Sequence, residues 1–495
     1  MTHTPSDHSL QALQARHGER YRWLLLLSVM VGTMASVMSS TIMNVAIPDM
    51  SQHFTLGQER AQWVTSGFMV AMTVSMLTTP WLLGRFGYRR TYEACTWLLM
   101  AGGIAGGFAT NYPLVLAARV AEGLAAGVLQ PIPAIIILRA FQPSEQGRAS
   151  GLFGMGVVLA PALGPSIGGL LVDAFGWRSI FFMVVPFCLA SLWLARRYVP
   201  TTAPGGGVAN PQGAGLDWLG LLLASAGTLC LLNGLVTLHS PDKGWALALV
   251  GAATACLLAF VWLQRRTLQA RRARPGSGHD PLMNLSLFAD RRFAMGSIVA
   301  FIYGIALFGS TYLLPVFMQM GLGLSPAYVG SILLPAGLVL AVTIAVVGRL
   351  ADRQPTHRLV SIGLVLLALS FALMVTVDVE RPTLVIPLLV GWAILGRIGL
   401  GFILPSLNLG AMRGLAHTHI PQGSSAINFL RMLGGATGVS LCGIVLEWRL
   451  AAHGAQLDTG PASAGRMLAF GETFWLLAGL CALALVAAWR LRDEG

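Results

Sequence analysis

Long apolar runs, broken by short polar segments, fill this chain from end to end. A helix needs about 20 apolar residues to cross a bilayer. Fourteen runs are of that order: 23–47, 62–83, 92–110, 114–138, 150–172, 179–195, 217–238, 245–263, 294–318, 326–348, 359–377, 384–412, 424–446 and 470–489. Numbered spans 1 to 14, they predict an all-α polytopic membrane protein. Most connections are short, as suits a helical bundle. Three are longer. Residues 200–216 are rich in Gly and Pro and read as a linker; 265–293 carry Arg265, Arg266, Arg271, Arg272, Arg274, Arg291 and Arg292; 449–468 are polar and loop-like.

Composition and charge sharpen that picture. With 55% hydrophobic and 11% charged residues and a mean hydropathy of +0.69, an ordinary soluble protein is excluded. A net charge of +12 invites nucleic acid as partner, but 29 of the 32 basic residues sit between apolar runs, as topology determinants do. With the N-terminus cytoplasmic, 23 fall in inner segments and 6 in outer ones; Arg119, Arg397 and Arg431 lie within spans. That bias predicts both termini cytoplasmic, an even number of spans, and the lipid bilayer rather than nucleic acid as partner. The first apolar run is too long for a cleaved signal and is expected to be retained. The six cysteines fall inside apolar runs with no Cys-x-x-Cys pair and read as small apolar residues, not disulfides or metal ligands.

The chain also repeats itself. Arg119-Val120-Ala121-Glu122-Gly123 in span 4 matches Arg397-Ile398-Gly399-Leu400-Gly401 in span 12. Leu82-Leu83-Gly84-Arg85 after span 2 matches Leu350-Ala351-Asp352-Arg353 after span 10. Gly164/Gly168 in span 5 matches Gly434/Gly438 in span 13. Each match is offset by eight spans, so two six-span halves flank an extra pair. Domains are expected at 1–199, 200–292 (linker and spans 7 and 8) and 293–495. Parallel repeats of this kind mark a large class of secondary transporters.

Three stretches resemble the major facilitator superfamily, and within it the fourteen-span drug:proton antiporters of the EmrB/QacA type: Ser40-Thr41-Ile42-Met43-Asn44-Val45-Ala46-Ile47-Pro48, Ala160-Pro161-Ala162-Leu163-Gly164-Pro165-Ser166-Ile167-Gly168-Gly169, and Asn428-Phe429-Leu430-Arg431-Met432-Leu433-Gly434-Gly435. Leu314-Pro315 through Gln319, with Leu333-Leu334-Pro335 beyond, adds to the likeness. The resemblance implies two six-helix bundles plus two linker helices. It implies an inner-membrane carrier exchanging protons for amphipathic compounds by alternating access. If efflux crosses an outer membrane, it also implies a separate periplasmic adaptor protein.

The span 5 stretch resembles the family's antiporter motif. Gly164 and Gly168 form a small-xxx-small pair that lets another helix pack closely; Pro161 and Pro165 add a bend, tolerated in a bilayer, and Gly169 completes the motif. Arg119 and Glu122 are the most expensive residues in the chain: charges at a span centre cost roughly 2.5–3.5 kcal/mol each on insertion scales. Their i, i+3 spacing puts them on one helix face, where they offset each other. The family usually has Gln at Glu122, and Asp just before the Thr-Ile stretch of span 1, where this chain has Ser39. A carboxylate lost from span 1 thus reappears in span 4, and Glu122, with Arg119 beside it, is the expected proton-coupling residue. A static ion pair is the plainer alternative.

Arg397 and Arg431 have no acid partner within their own spans and read as cavity residues or as props for helix carbonyls. Met38 (with Met30 and Met34 in an i, i+4, i+8 stripe), Asn44, Gln130, Tyr303, Gln319, Asn408 and Asn428 are further candidates for the substrate cavity or for ordinary interhelical contacts. Gly348-Arg349-Leu350-Ala351-Asp352-Arg353 resembles the superfamily's cytoplasmic gate motif. There Asp352 is expected at a neighbouring helix N-terminus and Arg353 across an interface. The first-half copy keeps Arg85, Gly87, Arg89 and Arg90 but has Gly84 for the usual Asp, which predicts a weaker latch. Asp217 reads as a helix N-terminal charge, and Gly102-Gly103 and Gly106-Gly107 as close contacts of span 3. No phosphate-binding loop, zinc spacing or nucleophile elbow is present, so an enzyme is not expected, nor a cofactor or metal. The expected ligands are a small-molecule substrate and protons. A dedicated exporter of one metabolite or weak acid, and a carrier-derived sensor, are the alternatives.

Overall fold

The computed structural model describes residues 10–56, 58–201, 209–210, 213–238, 243–273, 279–377, 382–456 and 463–491. Among them, fourteen long helical rods follow a short helix, Leu10–His17. Span 1 is Tyr21–His53. Span 2 is Gln58–Ser75 continued by a 3-10 turn, Met76–Thr78, and Thr79–Phe86. Span 3 is Tyr88–Gly107, and span 4 joins Tyr112–Leu129 to Ile132–Ala140 across a break at Gln130. Spans 5 and 6 are Gln146–Phe175 and Ser179–Tyr198; spans 7 and 8 are Trp218–Thr237 and Lys243–Ala273. Span 9 is Arg291–Val316 with a π-helical turn at Phe317–Gly321. Spans 10 to 14 are Pro326–Ala351, Thr356–Met374, Pro382–Met412, Ile420–Ala452 and Ala464–Trp489. Twelve of these rods are long and apolar enough to cross a membrane by length and composition. The other two are spans 3 and 5. Span 3 is diluted by Arg89, Arg90 and Glu93 at its entry and by its glycines.

Polar caps fix where several rods begin. The side chain of Asn111 accepts from the Leu114 amide (2.9 Å), that of Asp290 from Arg292 and Phe293 (2.8 and 3.1 Å), and those of Ser325 and Ser463 from the third residue on. Each satisfies an amide with no intrahelical acceptor. Spans 2 and 5 end on Gly87 and Gly176 at φ +82° and +78°, a region that favours glycine. The helix of span 5 runs unbroken through both prolines of the Gly-Pro stretch.

The rods gather into two compact units. One comprises Met1–Ser225, Phe260–Leu285 and Gly414–Ala426; the other comprises Ala226–Ala259, Ser286–Arg413 and Ile427–Gly495. The first unit packs Ile42, Met43 and Met50 of span 1 against Val64, Val115, Trp177, Ile180 and Phe181. The second is centred at one end on Phe317, Phe371, Phe470 and Phe474, with ring centroids 5.2–6.5 Å apart. Burial differs sharply between rods: 72% of the apolar window of span 4 lies inside, against 17% for span 8. Trp218, Trp245 and Trp262, toward the ends of spans 7 and 8, are exposed, as in the aromatic belts of bilayer interfaces.

The linker and the basic loop are more ordered than their composition suggests. Gly215–Leu216 pairs in parallel with His279–Asp280. Asp217 caps span 7 as expected, its Oδ1 accepting from the Gly220 amide at 2.8 Å. Its other oxygen accepts from Gln264 Nε2 at 2.7 Å, which ties span 7 to span 8. The span 8 helix continues past its apolar run to Ala273, and the span 13 helix to Ala452. The loops expected at 265–293 and 449–468 are therefore partly helical.

Candidate functional site

In the first unit, a charged cluster sits in the packed interior. Span 4 starts at its Asn111 cap, and eleven residues on, about 16 Å along the axis, comes Glu122. Glu122 is fully buried and Arg119 is 1% exposed. The i, i+3 spacing makes them an ion pair, Arg119 Nη1 donating to Glu122 Oε2. Span 1 supplies the third member. Arg119 Nη1 donates to Ser39 Oγ (2.6 Å) and Nη2 to the Ser39 carbonyl (3.1 Å), while Ser39 Oγ donates to Glu122 Oε2 (3.2 Å). The guanidinium also lies 4.2 Å from the Phe68 ring centroid, in span 2.

The glycines of span 3 make room for this cluster. A Cβ on Gly102 would stand 2.6 Å from Glu122 Cγ, and one on Gly103 3.3 Å from Glu122 Oε1. A side chain at Gly102 would displace the Glu122 side chain, whereas one at Gly103 would first meet the Phe181 carbonyl, at 2.9 Å. Glu122 Oε1 and Arg119 Nε have no hydrogen-bond partner among the described residues. The carboxylate therefore keeps one oxygen available to take a proton.

In the second unit, Tyr303 (span 9), Arg397 (span 12), and Asn428 and Arg431 (span 13) come together. Arg431 Nη2 donates to Asn428 Oδ1 at 2.7 Å, so its acceptor is a neutral side-chain amide rather than a helix carbonyl. Both guanidiniums lie within electrostatic reach of the Tyr303 hydroxyl. Tyr303 and Asn428 are buried, while both arginines are half-buried. Three of the four matched glycines are in close contact with another helix. A Cβ on Gly168 would stand 2.5 Å from Ile42 Cγ1 of span 1; on Gly434 and Gly438 it would stand 2.1 and 2.5 Å from the Phe301 and Ile305 carbonyls of span 9. Gly169 differs, with open space where its Cβ would be. The side-chain surroundings of Asn44, Pro161, Gly164 and Pro165 lie outside the described residues.

The remaining sequence candidates are scattered. Met38 is buried in span 1, and Met30 packs against Gly156 of span 5. Half-buried Gln130 stands at the break in span 4, Gln319 in the π-helical turn, and Asn408 near the end of span 12. Gly348 is buried, Asp352 half-buried at the end of span 10, and Arg353 exposed. At the first-half copy the linker occupies the loop. Asn210 N donates to the Gly84 carbonyl (2.9 Å), Trp81 Nε1 to the Ala214 carbonyl (2.9 Å) and Arg85 to the Gly213 carbonyl (3.3 Å). Arg89 pairs with Glu93 at 3.0 Å. The expectation of a weak latch there does not include this contact, because the linker's Gly- and Pro-rich pattern points to no partner. It also misses Glu472, held by Arg449 and by His453 (3.2 Å).

The family model of the Major Facilitator Superfamily matches residues 29–439. The chain belongs to this superfamily of transporters. A multidrug resistance protein B homolog of Mycobacterium tuberculosis is 29% identical over 432 residues, covering 86% of this chain and 77% of the relative. The multidrug export protein EmrB of Haemophilus influenzae is 28% identical over 447 residues, 88% and 82% of the two chains. Among solved structures, the human organic anion transporter MFSD10 (TM-score 0.64, 15% identity, 94% and 99% coverage) and the proton:xylose symporter XylE (TM-score 0.65, 12% identity, 95% of each) are similar in fold. The chain is a multi-pass membrane protein with the superfamily's fold, as its apolar pattern and internal repeat predict.

Proposed function

We propose that the chain is a proton-coupled exporter of drug-like, amphipathic small molecules, with fourteen spans in the inner membrane and both termini cytoplasmic. The relatives named for multidrug resistance and export support this reading. The observation that carries it is the Ser39–Arg119–Glu122 cluster. A buried carboxylate touches the span 1 position where similar antiporters usually carry one. Protonation of Glu122 neutralises the acid, weakens its hold on Arg119 and leaves the guanidinium to its bonds with Ser39. The neutral and charged forms therefore favour different packings of spans 1 and 4. Proton entry supplies about 2.3 kcal/mol per 100 mV and about 1.4 kcal/mol per pH unit.

The test is a growth-inhibition panel in a pump-deficient host, with wild type and Glu122→Gln compared, followed by transport in vesicles. Raised tolerance that Glu122→Gln and a protonophore both abolish is the expected result. No change in tolerance to any compound, with no proton-linked movement, would point to a sensor instead. A dedicated exporter of a weak acid is the second reading, and the paired arginines of the second unit favour it.

A further inference from the structure

We propose that Arg397, Arg431, Tyr303 and Asn428 form the recognition site for an anionic head group, so that the exported molecule is an amphipathic organic acid. This assignment rests on the export reading above and narrows its substrate to one chemical class.

The two units treat the arginines within their spans differently. Arg119 has its counter-ion three residues away on the same helix. Arg397 stands fifteen residues into span 12 and Arg431 eleven into span 13, about 22 and 16 Å along their axes, and neither has an ion pair among the described residues. The described acids of the second unit stand elsewhere. Asp290 caps the start of span 9, thirteen residues before Tyr303. Asp352 ends span 10. Glu447 lies sixteen residues beyond Arg431, about 24 Å along the helix. Glu472 is held by Arg449 and His453. Two guanidiniums thus lie within electrostatic reach of one phenol, and no ion pair neutralises either of them among the described residues.

Charges within a span mark substrate or ion pathways and pair with an opposite charge. Here the missing charge is supplied by the ligand. Arg431 spends one of its five N–H donors on Asn428, which fixes the guanidinium and leaves other donors to grip a second partner. The planar fork matches a carboxylate or sulfonate, accepting two parallel hydrogen bonds. The Tyr303 hydroxyl adds a neutral donor that both arginines can polarise. Spans 9, 12 and 13 are otherwise strongly apolar, with mean hydropathies of 1.8, 1.9 and 1.6 in their most apolar windows. They suit an apolar body behind the acid group. A cationic drug meets two like charges and, among the described residues, no acid, so the site selects against it.

The charge balance follows. Export of a monovalent anion against entry of one proton carries two positive charges inward per cycle, whereas export of a monovalent cation against one proton carries none. Anion export by this chain is therefore driven by the membrane potential as well as by the pH gradient.

The test uses the purified full chain in nanodiscs and two probes of one skeleton, 1-naphthoate and 1-naphthylmethylammonium, with dodecanoate as a second anion. The anions are expected to bind at least tenfold tighter than the ammonium. Arg397→Gln and Arg431→Gln should each weaken anion binding tenfold or more, while Arg→Lys at the same sites retains part of it by keeping the charge. Glu472→Gln, at the acid held by Arg449 and His453, should leave binding within twofold. Thermal unfolding of each variant separates lost folding from lost binding. Equal binding of anion and ammonium, or anion binding indifferent to both Arg→Gln variants, overturns the assignment. Proteoliposomes separate the two proposals: anion binding with no proton-linked movement refutes antiport and keeps the site, while proton-driven exchange of the ammonium, indifferent to both arginines, keeps antiport and refutes the site.

Discussion

Span 4 and span 12 carry an arginine at corresponding places of the repeat, Arg119 and Arg397, in opposite company. Arg119 is enclosed: an acid on its own helix, a serine from span 1 and a phenyl ring from span 2 take up its charge. Arg397 is half-buried and shares the electrostatic reach of the Tyr303 hydroxyl with a second arginine, Arg431, whose printed hydrogen bond goes to a neutral amide. The same residue is self-compensated in one unit and left to be compensated in the other. On the proposed reading, the difference separates two tasks of a coupled carrier. A closed ion pair with a free carboxylate oxygen suits proton exchange, while an open cationic pair suits ligand capture.

The comparison breaks most visibly where compensation is removed. Glu122→Ala leaves Arg119 buried without its counter-ion, and breaking such a pair costs about 3–5 kcal/mol. Thermal unfolding in detergent should show that loss, whereas Arg397→Ala, which removes an uncompensated charge, should leave stability unchanged or raise it. Equal destabilisation by the two changes would erase the distinction between the units.

A smaller effect probes the cradle. Gly102→Val adds a Cβ 2.6 Å from Glu122 Cγ, and overpacking of a tight interior costs about 1–3 kcal/mol. The same substitution at Gly169, which has nothing within 4 Å, should be silent in the same unfolding assay. The smallest effect is expected at the partly exposed Glu472–Arg449 pair. Glu472→Gln should leave the thermal midpoint within error of wild type, since pairs open to solvent contribute little. A large drop there would mean that the acids of the second unit carry structure as well.

Much of this was legible in the residues. The fourteen rods follow from apolar run length, a strong signal in a bilayer protein. Their ends shift because helices continue into charged termini; span 8 carries Gln264 to Arg272 as helix beyond its apolar run, where long arginine side chains reach water while their stems stay against the helix. The Arg119–Glu122 pair follows from its i, i+3 spacing alone. The third member does not: Ser39 lies 80 residues away, and only the resemblance of span 1 to related antiporters singles that position out. Gly102-Gly103 is readable as a close contact, but periodicity carries no information about which side chain fills the gap. Arg397 and Tyr303 lie in different spans of one half, and their meeting depends on tertiary packing that local spacing does not encode. The linker's grip on the Gly84 carbonyl is invisible for the same reason.

On the proposed reading, the coupling carboxylate has moved from span 1 to span 4 while remaining in one cluster. This relocation is tested most directly by proton-driven transport in proteoliposomes of wild type, Glu122→Gln and the double variant Ser39→Asp/Glu122→Gln. A relocated carboxylate predicts that Glu122→Gln abolishes exchange driven by a pH gradient. Returning the acid to span 1 should then restore it to within about threefold of wild type, with 1.4 kcal/mol being a factor of ten. Full proton-driven exchange in Glu122→Gln would contradict the account.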